Sequence, residues 1–293
     1  MRALWSAVRE TGKLFTSQRK LWLPFVIVAI CEALFILLVW LAPHPPFSKL
    51  LAPPIRYFFN NRFLHYPTHL WFLFYVMKYT HVAASILAGA FFTGIACVMV
   101  GQRHAGESLS FRDALLSRRA RYGRLLLVWA IAVALAHGLT TIAEQFGTKT
   151  PWFGWSLLGA SVLLQGLLIY AIPAAVFNDA PWWKALGQSL REAVRFPFST
   201  LALVAVTTLI LLAFSLLVNP TRVNQWMINS EPEIALLWVA VRLVVLTVVD
   251  ALLTVVIAHL WWLHRVPQQA VELAATSDAA RSIPLIQEGP AVA

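Results

Sequence analysis

Six apolar stretches recur along this chain, each about as long as the ~20 residues that a helix needs to cross a ~30 Å hydrocarbon core. They run Leu21–Ala42, Tyr79–Val100, Arg124–Gln145, Gly154–Phe177, Phe198–Val218 and Ile234–Leu263. In lipid a backbone must bond to itself, which leaves helices or closed barrels, and these stretches are too long for barrel strands. The expected fold class is an all-α polytopic membrane protein with six transmembrane helices. Composition agrees, since 59% of the 293 residues are hydrophobic and only 12% are charged. The 13 Trp and 18 Phe gather near the expected span ends, as an aromatic belt does.

A net charge of +10 would suggest a nucleic-acid partner in a soluble protein. Its distribution gives a different explanation. With the N-terminus inside, sixteen of the 23 Lys and Arg fall on the inner segments and seven on or near the outer ones. That is a positive-inside bias, so both termini are expected in the cytoplasm of a bacterial inner membrane, facing anionic lipid headgroups. No nucleic-acid partner is expected. The first span is too long for the core of a cleaved signal, and Trp40-Leu41-Ala42-Pro43 is a poor cleavage site. Cys31 and Cys97 count to about 15 Å and about 5 Å from the inner surface, too far apart to bridge.

Between the spans, Pro181–Arg195 reads as an amphipathic helix. Trp182, Leu186, Leu190, Ala193 and Val194 recur at helical spacing, and Pro181 suits a first helical position. Leu4–Lys20 and Ser110–Arg121 behave alike, so three interfacial helices are expected in the inner headgroup layer. Each leads into an outward span and a return span. The 1–264 membrane domain thus reads as three two-span units, about 1–101, 106–178 and 179–264. The 43–78 connection is rich in Pro and aromatics and long enough to lie on the outer surface or cover the bundle. The polar segment 265–293 is expected to be a disordered cytoplasmic tail.

Depth along each span, at about 1.5 Å per residue, singles out a polar layer. Glu32, His137, Gln165 and Asp250, from four different spans, all count to about 17–20 Å from the inner end. Ionisable groups at that depth face a bundle interior or an aqueous cavity. They could form a substrate or proton site, with Glu32 and Asp250 titrating and His137 as relay. The favoured reading is interhelical hydrogen bonding that fixes register, with the carboxylates protonated or paired to His137. Lys78, His81 and Arg242 count to about 28–33 Å and read as interfacial.

His65 and His69 share helical spacing, but Pro67 lies between them and no carboxylate or Cys is near, so no metal site is expected. The stripes Ser85/Gly89/Thr93/Cys97 and Ala130/Ala134/Gly138 read as packing seams. There is no Walker loop, dinucleotide fingerprint, HExxH or GxSxG, and no cofactor is implied. The leading expectation is a non-enzymatic envelope scaffold or accessory subunit, with a protein partner or a second copy as candidate partners. A transporter or channel for a small or lipidic molecule is the first alternative. A lipid-handling membrane enzyme is the second.

Two segments carry a family resemblance: Ala7-Val-Arg-Glu-Thr-Gly-Lys-Leu-Phe15, which runs into the first span, and Ile172-Pro-Ala-Ala-Val-Phe-Asn-Asp-Ala-Pro-Trp-Trp-Lys-Ala-Leu186. In these, and in layout over most of its length, the chain resembles uncharacterised six-span bacterial inner-membrane proteins. That group includes the YciC-like family and the membrane domain that precedes some glycerophosphodiester phosphodiesterases. The resemblance implies a six-span fold and supplies no catalytic residues. No phosphodiesterase domain is present, so that activity is not implied.

Overall fold

The computed structural model describes residues 2–65, 68, 79–119, 121–147, 151–178, 181–217 and 234–281. Among them the regular elements are helical and no strand occurs. Five helices are long and apolar enough to cross a membrane: Arg19–Leu41, Tyr79–His104, Tyr122–Ala143, Trp152–Phe177 and Leu236–His264. A sixth is counted if Trp182–Arg195 and Pro197–Ile210, which meet at 100°, form one bent span. Large apolar side chains such as Ile30, Phe35, Leu135, Leu209 and Val244 stand on the outside of these helices. A surface of that kind is at ease in lipid and not in water. The arrangement is that of a multi-pass membrane protein.

The helices, in chain order, are α1 (Arg2–Ser17), α2 (Leu23–Leu41), α3 (Ser48–Phe58), α4 (Tyr79–His104), α5 (Phe111–Arg119) and α6 (Tyr122–Gly147). They continue as α7 (Pro151–Leu168), α8 (Ala171–Phe177), α9 (Trp182–Arg195), α10 (Pro197–Leu217) and α11 (Ile234–Arg281). The amphipathic helices α1, α5 and α9 each run into an apolar one, namely α2, α6 and α10.

These three helices do more than rest on a headgroup layer. The tightest core forms where they pack against the ends of α4, α8 and α11, with Ala7, Leu14 and Phe15 of α1 and Ala114 of α5 buried there. In α9 the side facing the protein is made of small or polar residues: Ala185, Ser189, Glu192 and Ala193 are buried. The larger Trp183, Leu190 and Val194 stay exposed. The sequence reading placed Ala193 with Leu190 and Val194 on one apolar face. Close helix contact favours the small row instead, as it does between helices in membranes generally.

Register is the second feature that hydropathy does not reveal. The Tyr122 hydroxyl, at the start of α6, donates to the Leu87 carbonyl, and its ring meets Phe91 edge-on at 5.3 Å. Phe91 precedes the end of α4 by thirteen residues, about 20 Å of helix. The start of α6 therefore sits part-way along α4 and not level with its end. Leu87 belongs to a π-helical turn, Ser85–Gly89, inside α4. Such turns disturb the regular i→i−4 ladder, and here α6 supplies partners, since Trp129 Nε1 also donates to Ser85 Oγ at 2.9 Å.

The fourth apolar stretch is likewise not one straight rod. Pro173 has no N–H, and its ring clashes with the carbonyl four residues earlier, at Ile169, so the helix breaks between α7 and α8. Ser189 of α9 fills the break. Its hydroxyl donates to the Leu167 carbonyl at 2.8 Å and accepts from the Tyr170 N–H at 3.1 Å.

Part of the first connection is helical, as α3, although Pro53 and Pro54 lie inside it. The carbonyls these prolines leave without a donor belong to Lys49 and Leu50, and Leu50 is exposed to an alternative partner. His69 and Lys78 lie outside the described residues. At the other end, α11 continues as helix through Arg281, across the segment expected to be disordered from 265. Residues such as Gln, Ala, Glu and Leu dominate 268–274 and are good helix formers. Residues 282–293 lie outside the described residues. Cys31 is exposed and Cys97 buried, and no disulfide joins them.

Close packing leaves little room for a side chain at Gly101. A Cβ at Gly101 of α4 would stand 3.0 Å from the Phe177 ring and 3.7 Å from Trp262 Nε1. Gly101→Val should lower stability by about 2 kcal/mol through overpacking, read as an earlier thermal unfolding midpoint in detergent. An unchanged midpoint would mean that Phe177 yields freely.

Candidate functional site

The four residues of the expected polar layer fall into two places. Glu32 on α2 is 5% exposed. Its Oε1 lies 3.0 Å from His81 Nδ1 on α4. Asp250 and Arg242, two helical turns apart on α11, are both within electrostatic range of His81 and Glu32. Three helices thus bring two carboxylates, one imidazole and one guanidinium together. The Glu32 side chain is nearly sealed, whereas His81 is 31% exposed.

His137 and Gln165 belong elsewhere, to the α6–α7 hairpin. Gln165 Nε2 donates to Ser161 Oγ at 3.4 Å, and Ser161 Oγ donates to the Ala136 carbonyl at 3.2 Å. This chain of bonds ties α7 to α6 beside His137. Among the described residues no hydrogen bond joins His137 or Gln165 to Glu32 or Asp250.

His81 is the member that the sequence reading placed elsewhere, at the outer interface. A depth count compares positions on different helices only if all of them start level and stand parallel. Membrane helices tilt by about 20° on average, and here the starts are offset as well. The signal that could have found His81 is chemical: a carboxylate buried in a span requires a partner, and His81 is a basic residue carried inside the next apolar stretch.

Alongside this cluster, the second half of α2 and the first half of α11 line a groove of about 310 Å³. Its walls are apolar, including Ile36, Trp40, Val239 and Leu243. Chemically, the cluster can hold and exchange protons and can pin α2, α4 and α11 in one register. Among the described residues no group of three or more His, Cys, Asp or Glu side chains is placed to hold a metal ion. Comparison with protein-family models, curated proteins and solved structures finds no match to this chain.

Proposed function

We propose that the chain is a six-span protein of a bacterial inner membrane, with both termini in the cytoplasm, acting as a non-enzymatic scaffold or accessory subunit. The observation that carries this reading is the Glu32–His81 contact. A carboxylate buried within α2 is engaged directly by a side chain of α4, as a structural bond is. The 100° bend supports the sixth span, because α9 lies across the direction of α10. Exposed Trp183, Leu190 and Val194 beside Lys184, Arg191 and Arg195 suit a helix seated among anionic headgroups. Three amphipathic helices, each leading into an apolar one, support the division into three two-span units.

A second reading, transport of a small or lipidic molecule, is favoured by one feature. Two carboxylates and an imidazole from three helices lie together inside the spans, a set of groups that can hand a proton from one to the next. Proton flux into proteoliposomes separates the two. The scaffold reading expects the wild-type protein and Asp250→Asn to match protein-free vesicles. A wild-type flux that Asp250→Asn abolishes would replace it with transport.

A further inference from the structure

At the end of the bundle where α1 packs on α11, two histidines from different helices meet. His104 Nε2, on the last turn of α4, lies 2.8 Å from His259 Nδ1 on α11. The rings stand at 80° to one another, and the His104 ring stacks on Trp262 at 5.3 Å. The two members differ in access. His104 is exposed, whereas His259 is 5% exposed and its Nε2 is buried without a hydrogen-bond partner among the described residues. Trp262 Nε1 and Thr11 Oγ1 are buried and unpartnered in the same way.

From this geometry we propose that His104 and His259 form a pH-operated clasp between the ends of α4 and α11, closed when both rings are neutral. Two facing ring nitrogens at that distance hold one proton between them: one nitrogen donates and the other accepts. A further proton on His259 leaves a charge in a nearly sealed site, with an Nε2–H that has no acceptor. With both rings protonated, two N–H groups face each other and the bond is lost.

The surrounding charges divide. Arg103, on the same helix, opposes a second positive charge, and Glu10 of α1 attracts it. Glu10 is exposed and already paired with Lys13 at 3.3 Å, so its pull is screened. The face of Trp262 offers His104 a cation–π contact, which favours charge on the exposed ring and not on the buried one. From α8 the neighbour is Phe177, which packs on Trp262 and carries no charge. Nearby α5 carries Arg112 and Asp113, and the segment before α2 carries Arg19 and Lys20, all four of them exposed. With a second proton the two facing nitrogens are both donors and no acceptor remains between them, so protons favour the open clasp. Histidine titrates near ~6.5 in water, which places the transition in mildly acidic conditions.

Hydrogen exchange on the full-length protein in nanodiscs of neutral lipid tests this at pH 7.5 and 5.5, after correction for the chemical exchange rate. The wild type should lose roughly tenfold protection at 101–106 and 258–264 on acidification, while α6 is unchanged. His104→Gln places an amide where Nε2 stood, and His259→Asn does so where Nδ1 stood, each keeping a polar contact that cannot titrate. His259→Asn, which removes the buried titrating ring, should show equal protection at the two pH values. His104→Gln keeps His259 but offers it an amide oxygen that accepts a bond in either charge state, so it should lose clearly less protection than the wild type on acidification. Because His104 is exposed, its variant remains informative if His259→Asn does not fold. A wild type with the same protection at both pH values, or a loss as large in His104→Gln as in the wild type, overturns the clasp.

Discussion

His81→Ala should destabilise the protein by about 2–4 kcal/mol, clearly more than Glu32→Gln. Removing the imidazole leaves a carboxylate at 5% exposure without its hydrogen-bond partner. Breaking a buried pair from one side is the costly direction, because the remaining charge has lost its compensation. Arg242 lies within electrostatic range of Glu32 and relieves part of that cost, which sets the lower end of the interval. Glu32→Gln removes the charge but keeps an amide able to bond His81, so its cost should stay near the ~0.6 kcal/mol typical of interhelical hydrogen bonds in membranes. The double variant should then recover most of the stability lost in His81→Ala. Thermal unfolding of the four proteins in one detergent closes the cycle. Additive losses would mean that the two side chains act independently and that the contact is not a bond between α2 and α4.

Ser189→Ala should be comparably severe, at about 2–4 kcal/mol, although it deletes a single oxygen. That oxygen serves two backbone groups at once, the Leu167 carbonyl and the Tyr170 N–H, at the break caused by Pro173. Ser189 is 0% exposed, so water cannot readily replace it. Each buried backbone group left unpaired costs about 1–3 kcal/mol. The effect should be local as well as global, with faster amide exchange at 167–171 than elsewhere in α7 and α8. A variant as stable as the wild type, with unchanged exchange there, would show that the break satisfies itself without α9. The same contact explains how an amphipathic helix becomes integral to the fold. The small row Ala185, Ser189 and Ala193 lets α9 approach closely enough for the serine to enter the break.

What could be read in advance follows the kind of force involved. A span answers to the bilayer alone: about 20 apolar residues either reach across the hydrocarbon or they do not, whatever surrounds them. For that reason Leu21–Ala42, Tyr79–Val100 and Ile234–Leu263 were legible as apolar helices, and so was the alternation of amphipathic and apolar segments. The Pro173 break was legible in principle, since proline acts on its own helix. Helix α3 was obscured because Pro53 and Pro54 argue against a helix that exposed carbonyls make tolerable.

Partnership was not legible. Whether Glu32 meets His137 or His81 depends on which helices are neighbours and on how far each is slid along the next. Those offsets come from packing at Gly101, at the π turn of α4 and along the small face of α9, where many side chains act together and none is decisive. The sequence by itself determined that the chain is helical, where its apolar helices lie, and that ionisable groups are carried inside them. Only the tertiary structure decided the pairings, Glu32 with His81 and His104 with His259. Hydropathy is a property of each segment taken alone, whereas register and side-chain contact exist only between segments.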